Sequence, residues 1–552
     1  MKPPLALLCV VLIALMTSLH AEAAPIAPAP CASLVGLAIA PTSIGLPTRG
    51  ATVTSAAPAA SKAGAAYCLV SGAIAPVDPQ APEIQFHVAL PAAWNGKVVM
   101  LGGGGFNGVI PDVTASPLNT PPQPSPLERG YAVFASDSGH QSPMGGADGR
   151  FMTNDEAYRN WLGDSLKKTR DSAMVVITKA YGRAPTRAYF LGGSTGGREG
   201  LRVAALWPKD WDGVVALYPA RDPTALALKM LVDPQALAAP GAFLSTPQRD
   251  LLHRAALQAC DARDGLADGL ISDVKGCYGV FDPDKALVDG HSLRCTDGAA
   301  HGDACLSDAQ LAAIRVLESP LRFGFPLASG ETGVPGYNVL TADTGVSSPN
   351  PAQAFVAQLA LGNAPPSFPA NAGMALSAGF ADNFVRFLVT RDPGADPLRF
   401  NVADPGRYRQ RLSDLSASDT PDKDLSGFAA RGGKLLMMQG ADDLLVSPRA
   451  TEAYYEGLKE RLGEATVHRF VRFYEAPGFG HAVSTLFMAS WDELSALEAW
   501  VEQGRDPGDN LVVTDVAGVP GRSRPLCQYP GWPRYRGTGD VNSAAAFTCA
   551  RP

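Results

Sequence analysis

Between residues 85 and 220 the chain alternates short apolar runs with a longer segment of helical periodicity. The apolar runs read IQFHVAL, KVVML, YAVFAS and AYFL, and the segment DSLKKTRDSAMVVITKAYG lies between the last two. Strands that alternate with helices in this way are typical of a mainly parallel sheet with helices packed on its faces. The pattern therefore predicts an α/β fold.

This alternation stops in the middle of the chain and returns near its end. Residues 224–425 hold four cysteines and irregular, proline-rich segments such as GNAPPSFPANAG. Strand patterns resume at GGKLLMMQG and VHRFVRFYEAPG, followed by the helical WDELSALEAWVEQG. We therefore predict a core formed by residues 24–223 and 426–552 and interrupted by an inserted domain at 224–425. Residues 509–552 are expected to form an irregular, disulfide-closed tail.

Residues 1–23 have the pattern of a secretory signal peptide. One lysine precedes an apolar stretch, and small residues at Ala21 and Ala23 follow it. A membrane anchor is the alternative, but the stretch is short for a full span. We expect cleavage near Ala23 and a mature protein that is secreted or periplasmic, without a membrane span. The net charge of -7 disfavours nucleic acid as a partner.

Eight cysteines remain once Cys9 is removed with the signal peptide. An even number in an exported chain indicates disulfides. The cysteines fall into four couples that are local in sequence, which predicts the pairs Cys31–Cys68, Cys260–Cys277, Cys295–Cys305 and Cys527–Cys549. Metal binding is the alternative, but the chain has no CxxC spacing.

Residues 192–196, GGSTG, fit the G-x-S-x-G pattern of a nucleophilic serine on a tight turn. An apolar strand precedes the pattern, and EGLRVAALWP after it carries apolar residues at helical spacing. Small neighbours let the backbone turn sharply while the Ser194 hydroxyl stays accessible. A phosphate-binding loop would need lysine after its glycines, and this chain has Arg198 there. The stretch therefore predicts a nucleophile, Ser194.

A nucleophilic serine needs a base and an acid, which follow it in the order acid, then histidine, in this type of fold. The stretch GGKLLMMQGADDLLVSP places Asp442 and Asp443 just after an apolar strand, and spacing alone does not choose between them. EAPGFGHAVST places His481 in a glycine-rich loop after the next strand. We interpret His481 as the general base, oriented by one of the two aspartates.

A glycine-rich run at residues 101–108 follows the strand KVVM, where this fold supplies part of the oxyanion hole. We expect backbone amides of the 103–105 region, at Gly104 and Gly105, and the amide of Thr195 to be the donors. The run also fits the dinucleotide pattern G-x-G-x-x-G. That pattern requires a helix to follow, however, and the segment here is too rich in proline.

Several motifs of this sequence resemble those of the tannase and feruloyl esterase family, which includes the bacterial hydrolase of mono(2-hydroxyethyl) terephthalate. The likeness covers nearly the whole mature chain, through WNGKVVMLGGGGFNG, LGGSTGGREGL, DLSGFAARGGKL, QGADDLLVSP, APGFGH and RPLCQYPGWPRYRGTGDVN. The resemblance implies an α/β-hydrolase fold, Asp443 as the catalytic acid, and a lid domain at 224–425 that supplies much of the acyl pocket.

The resemblance also implies a structural calcium site in the lid. In the stretch CDARDGLADGLI, Asp261, Asp264 and Asp268 would give carboxylates, and Leu266 and Leu270 would give backbone carbonyls. Three acids spaced three and four apart in a glycine-containing loop offer the hard oxygen ligands that calcium prefers. A solvated acidic turn is the alternative.

One departure from the family pattern concerns the site itself. The family typically carries a cysteine just before the nucleophile and another just after the histidine, which bridge the triad. This chain has Gly193 and Ala482 at those positions. Another means must therefore hold the histidine loop in place.

The family resemblance implies a serine ester hydrolase acting on esters of aromatic acids, feruloyl or galloyl esters among them. A terephthalate monoester hydrolase is the alternative within the family. Its lid arginine for the free carboxylate has no counterpart here, since residues 350–380 contain no arginine. A serine peptidase and a non-catalytic binding protein are alternatives from other classes, and the complete set of Ser194, Asp443 and His481 argues against the second.

Overall fold

A ten-stranded mixed sheet forms the centre of this computed structural model, which describes residues 28–116, 124–142, 146–419 and 421–552. The strands, in chain order, are β1 (Ala38–Ile39), β2 (Ala51–Ala60), β3 (Ala66–Ile74), β4 (Ile84–Pro91), β5 (Lys97–Leu101), β6 (Ala132–Ser136), β7 (Arg187–Gly193), β8 (Gly213–Leu217), β9 (Leu287–Val288), β10 (His291–Ser292), β11 (Leu321–Arg322), β12 (Gly333–Val334), β13 (Lys434–Gly440), β14 (Val471–Ala476), β15 (Ala489–Ser490), β16 (Val512–Asp515), β17 (Ser523–Pro525), β18 (Trp532–Tyr535) and β19 (Phe547–Ala550).

In the central sheet the strand order is β1-β2-β3-β4-β6-β5-β7-β8-β13-β14. The strands from β6 to β14 in this order run parallel, and β1 to β4 extend the sheet as an antiparallel flank. The α-helices are α1 (Asp155–Arg159), α2 (Ser165–Tyr181), α3 (Thr195–Leu206), α4 (Pro223–Leu237), α5 (Thr246–Cys260), α6 (Val274–Tyr278), α7 (Asp308–Glu318), α8 (Gln353–Leu359), α9 (Leu376–Asn383), α10 (Arg409–Ser416), α11 (Ser426–Ala430), α12 (Pro448–Leu462), α13 (Glu464–Phe470) and α14 (Glu493–Gln503).

The parallel strands are apolar throughout because helices cover both faces of the sheet. All five residues of β6 and all five of β8 are buried. Alternate side chains of β8 enter two separate cores: Val214 packs in the same core as α3, and Val215 packs in the same core as α14. This arrangement is the α/β-hydrolase fold that the sequence predicts.

Strands β8 and β13 are neighbours in the sheet although some two hundred residues separate them in the chain. The described residues between them add no strand to the central sheet. They form two apolar cores of their own, one around α5 and α7 and one around α4 and α9. The second core includes Phe106, Trp161 and Leu445 from the hydrolase part. The insertion therefore packs against the end of the sheet where those residues lie.

All four predicted disulfides are confirmed. Cys31 bonds Cys68, Cys260 bonds Cys277, Cys295 bonds Cys305, and Cys527 bonds Cys549. Two of the bonds lie inside the insertion, one joins the N-terminal segment to β3, and one closes the C-terminal tail. The predicted signal peptide lies outside the described residues. Within the described ranges no helix is both long enough and apolar enough to cross a bilayer.

Three sequence expectations differ from the structure. The long strands β2 and β3 precede the segment where the pattern suggested that strands begin. In VHRFVRFYEAPG the first four residues end helix α13, and strand β14 begins only at Val471. The tail 509–552 is not irregular, because it contains β16 and β17 and the paired strands β18 and β19.

Candidate active site

The predicted site residues meet at the carboxyl edge of the parallel strands. Ser194 directly follows β7, Asp443 lies three residues after β13, and His481 lies five residues after β14. Loops after parallel strands converge on the same edge of the sheet, which is where ligands bind in open α/β sheets. Residues more than two hundred positions apart are thus brought into contact.

Ser194 occupies a strained turn between β7 and α3. Its backbone has φ 59° and ψ −122°, outside the regions that non-glycine residues ordinarily adopt. The neighbouring glycines are required by space: a Cβ at Gly192 would lie 2.4 Å from the carbonyl oxygen of Gly196, and one at Gly196 would lie 2.8 Å from that of Gly103. The turn therefore needs small residues around the serine, as the G-x-S-x-G pattern predicts.

His481 contacts both other members of the predicted set. Its Nε2 lies 2.9 Å from Ser194 Oγ, and its Nδ1 lies 2.7 Å from Asp443 Oδ2. With the ring proton on Nδ1, the carboxylate accepts it and leaves Nε2 free to accept a proton from the serine hydroxyl. The imidazole is buried, with 6% of its surface exposed. This arrangement can activate the serine as a nucleophile.

Asp443 is the aspartate that contacts the histidine, and it is completely buried. Besides His481, it accepts hydrogen bonds from Gln439 Nε2 at 2.9 Å and from the amides of Leu445 and Val446 at 2.9 and 2.8 Å. These hydrogen bonds fix the orientation of the Asp443 carboxyl group towards the imidazole of His481.

Its neighbour Asp442 is buried in a different environment. Burial raises the pKa of Asp442 well above its usual range, and the nearby carboxylate of Asp343 raises it further. Asp343 itself accepts hydrogen bonds from Thr485 N and Oγ1 at 2.9 and 2.7 Å. The two adjacent aspartates thus differ in environment: Asp443 contacts the histidine, and the pKa of Asp442 is raised by burial beside Asp343.

The glycine-rich loop after β5 lies over the start of α3. Gly103 is not a free amide, because its N–H donates to the buried carboxyl of Glu199 at 2.9 Å; Asn107 Nδ2 donates to the same group at 2.8 Å. Thr195 Oγ1 donates to the Gly105 carbonyl at 2.6 Å. The N–H groups of Gly104, Gly105 and Thr195 donate to no acceptor among the described residues. These three amides are the ones that the sequence predicts for an oxyanion.

A cleft opens beside Ser194. Its lining is mainly apolar and comes from both parts of the chain: Gly105, Phe106, Met152, Tyr158, Trp161, Ser194, Thr195, Arg198, Ala220, Pro223, Leu226, Ala227, Met230, Phe380, Phe384, Leu388, Leu445 and Val446. The ring of Phe106 meets Trp161 and Phe380 edge to face, at centroid distances of 5.6 and 5.0 Å. A flat apolar acyl group is the ligand that such walls favour.

Arg198 is the cationic side chain in this lining, and the protein itself already engages it. Its guanidinium stacks 4.3 Å from the centroid of the Trp161 ring and donates to the Trp161 carbonyl at 3.2 Å. Only 4% of the residue is exposed, and burial lowers its pKa to about 10. The group therefore supports the wall of the cleft.

The predicted calcium loop forms a tight turn after α5. Asp261 accepts hydrogen bonds from the amides of Asp268 and Gly269, Asp264 accepts from the amide of Leu266, and Asp268 accepts from the amide of Leu270. Asp268 also pairs with Arg524 of the C-terminal tail. Within the described ranges no three His, Cys, Asp or Glu side chains converge as metal ligands would. Carboxylate oxygens are suitable calcium ligands. In this structure the three carboxylates accept hydrogen bonds from backbone amides of the same loop.

Sequence reasoning missed two buried groups beside the site, Tyr218 and Glu199. Glu199 follows the serine motif directly, and its role depends on the loop that folds over it. Tyr218 follows β8, which lies between the strands that carry Ser194 and Asp443. Residues that directly follow a central parallel strand lie at the edge of the sheet where ligands bind. The position of Tyr218 after β8 is therefore the sequence signal that could have identified it.

The fold is that of an α/β-hydrolase, and Ser194, His481 and Asp443 meet at its carboxyl edge. The family model for tannase and feruloyl esterase matches residues 68–550, and the chain belongs to that family. An uncharacterized esterase of Agrobacterium fabrum is 36% identical, with 94% of this chain and 93% of the relative covered. The mono(2-hydroxyethyl) terephthalate hydrolase of Piscinibacter sakaiensis is 32% identical, with 90% and 87% covered.

Among solved structures, feruloyl esterase B from Aspergillus oryzae superimposes with a TM-score of 0.73 at 20% identity, covering 92% of this chain and 98% of that one. This likeness confirms the fold. The family membership makes the protein a carboxylic ester hydrolase, which sets aside the peptidase and binding-protein alternatives.

Proposed function

We propose that the protein is an exported serine esterase that cleaves esters of aromatic acids through Ser194, His481 and Asp443. The observation that carries the proposal is the imidazole of His481, which contacts Ser194 Oγ at 2.9 Å and Asp443 Oδ2 at 2.7 Å. An apolar, aromatic-walled cleft opens beside the same hydroxyl. The proposed nucleophile, its proposed base and an apolar cleft are therefore next to one another.

In this mechanism His481 Nε2 takes the proton of Ser194 as Oγ attacks the ester carbonyl. The imidazolium is stabilised by Asp443, and the oxyanion by the amide of Thr195 together with those of Gly104 and Gly105. The tetrahedral intermediate collapses, and the alcohol leaves with the proton from His481. Water, deprotonated by His481, then attacks the acyl-enzyme, releases the acid and restores the serine hydroxyl.

The acyl specificity is supported by the cleft and by the relatives. Edge-to-face rings at Phe106, Trp161 and Phe380 suit a planar aromatic group. Relatives of this chain include proteins named as probable feruloyl esterases, among them one from Arthroderma benhamiae. We expect an uncharged acyl group to be preferred, because the guanidinium of Arg198 in the cleft wall is held by protein groups.

A substrate panel tests the proposal. Purified protein is expected to hydrolyse methyl ferulate or methyl gallate faster than mono(2-hydroxyethyl) terephthalate, and to leave a peptide anilide intact. Ser194→Ala is expected to lower kcat by at least about 10³-fold, since it removes the nucleophile. Unchanged activity in that variant would disprove the mechanism, and a faster rate on the terephthalate ester would reverse the substrate order.

Terephthalate monoester hydrolysis remains the second candidate. The favouring observation is the 32% identical relative named for that activity, which covers 90% of this chain. Against it stands the absence of arginine from residues 350–380, so a free carboxylate would have no cationic partner from that segment. The same panel decides between the two.

Export is supported by the four disulfides, because such bonds persist in oxidising compartments. We propose that residues 1–23 direct the chain out of the cytoplasm and are removed. Mass spectrometry of the protein from its native host should find a mature N-terminus near residue 24. A chain that retains residue 1 in the cytoplasmic fraction would contradict this.

We also propose that the loop with Asp261, Asp264 and Asp268 takes up calcium by exchanging its internal hydrogen bonds for metal–oxygen contacts. Calcium is expected to bind in isothermal titration and to raise the Tm, whereas Asp264→Asn should remove both effects. As a control, Asp297→Asn changes an exposed acid of the same insertion. No heat of binding at millimolar calcium would refute the site.

A further inference from the structure

Tyr218 lies between the nucleophile and the histidine. It directly follows β8, its side chain is completely buried, and its ring packs edge to face against the imidazole of His481 at a centroid distance of 4.9 Å and an interplanar angle of 63°. The ring and hydroxyl of Tyr218 also occupy the space that a side chain at residue 193 would need. It therefore touches both chain segments that must stay in register for proton transfer.

The absence of a side chain at Gly193 is what admits this tyrosine. A Cβ at Gly193 would lie 2.6 Å from Tyr218 Oη and 2.7 and 2.8 Å from its Cε2 and Cζ. The glycine is needed for this space and not for its backbone, because its φ is not positive. Residues 193 and 218 thus form a matched pair: a larger residue at the first position excludes the ring at the second.

The position of Tyr218 is fixed by the sheet. Its amide donates to the carbonyl of Met438 in β13 at 2.6 Å. Its ring also packs against the ring of Phe479, with 6.2 Å between the two ring centroids. Its φ of 33° is unusual for a non-glycine residue, and such a conformation persists only where the surroundings determine it. The ring is therefore a rigid wall beside the imidazole.

We propose that Tyr218 is a positioning residue that holds the imidazole of His481 in line with Ser194 Oγ. This inference rests on the proposed triad. Asp443 and Ser194 contact the two ring nitrogens of His481, which leaves rotation of the imidazole plane about the line between those nitrogens. The ring of Tyr218, packed against the imidazole at a centroid distance of 4.9 Å, opposes that rotation. A displacement of about 1 Å between reacting groups costs roughly 100-fold in rate.

Two substitutions of Tyr218 and one matched control test the inference. On p-nitrophenyl butyrate, Tyr218→Leu is expected to lower kcat by roughly 30- to 100-fold with KM changed by less than about 3-fold, since only the reacting geometry is lost. Tyr218→Phe keeps the ring and should retain kcat within about 3-fold. Tyr131→Leu removes an equally buried tyrosine at the far end of β6 and should lower the Tm without lowering kcat.

A double-variant cycle tests the pairing with residue 193 independently. Gly193→Ala should lower kcat strongly in the wild-type background, because its Cβ displaces the ring. In the Tyr218→Leu background it should add less than about 3-fold, because the obstacle is gone. If Tyr218→Leu unfolds the protein, Tyr218→Met is used in its place in both arms.

These outcomes separate the inference from the proposed function. A fluorophosphonate probe reports the reactivity of Ser194 without reference to any substrate, and Ser194→Ala should abolish its labelling. If that variant is still labelled and active, the proposed triad fails. If it is silent and folded Tyr218→Leu has wild-type kcat, or Tyr218→Phe loses as much as Tyr218→Leu, or the double-variant losses are additive, the role of Tyr218 is refuted.

Discussion

Asp442 and Asp443 are adjacent in the chain, yet their environments differ. Asp443 accepts hydrogen bonds from two backbone amides and from Gln439, and it contacts the imidazole of His481. Asp442 is buried, and this raises its pKa well above the usual range. Because only Asp443 contacts the histidine, the same substitution at the two positions should affect catalysis to different extents.

We therefore expect Asp443→Asn to lower kcat by about 10⁴-fold, because the amide favours the wrong tautomer of His481. The matched control, Asp442→Asn, keeps the shape of a side chain that does not contact His481 and should leave kcat within about 3-fold. Steady-state kinetics on one ester substrate measures both. Equal losses in the two variants would contradict the assignment.

Single residues of the site were predictable where a motif encodes them. Ser194 follows from the glycine spacing and His481 from its strand-then-loop setting. The choice of Asp443 over Asp442 depended on family resemblance, because the two occupy the same spacing. Tyr218 was not predictable, since its role requires knowing that β8 pairs between β7 and β13 and that Gly193 leaves room for a ring.

At the scale of elements, the loop after β6 holds a buried histidine that the proposed chemistry does not use. His140 stacks on Phe151 at a centroid distance of 3.6 Å with 3% of its surface exposed. Burial lowers its pKa to about 4. The imidazole of His140 is therefore neutral in the folded protein down to about pH 4, whereas in the unfolded chain it would be protonated below about pH 6.5.

This difference gives a pH dependence with a defined sign. Because the folded pKa is lower than the unfolded one, the contribution of His140 to stability is complete above about pH 6.5 and is lost as the pH falls towards about 4. Relative to His140→Gln, the wild type should lose about 3 kcal/mol of unfolding free energy over that range. Urea denaturation of both proteins at several pH values measures it, and parallel curves would refute the argument.

The elements of the parallel sheet were predictable because a strand buried on both faces must be apolar throughout, as β6 and β8 are. The flanking strand β2 was missed since ATVTSAAPAA is small and polar, with only two residues buried. The start of β14 was misplaced because VHRF is equally compatible with a helix end, and tertiary packing decided between them.

At the scale of the whole molecule, the four disulfides lie in the N-terminal segment, the insertion and the C-terminal tail. Removing the Cys260–Cys277 bond by a double serine substitution should cost about 3 kcal/mol of unfolding free energy, as expected for a loop of this length. Thermal unfolding with and without reductant provides the comparison. If reductant lowers the Tm of the wild type no more than it lowers the Tm of the variant, this bond does not contribute to stability.

The pairing of β8 with β13 across the insertion has a consequence for how activity appears in time. Ser194 is synthesised before the insertion, and Asp443 and His481 after it, so a chain that ends before His481 lacks part of the proposed triad. Closing so long a connection is slow compared with forming local contacts. We therefore expect ester cleavage to begin only after β8 and β13 have paired in one sheet.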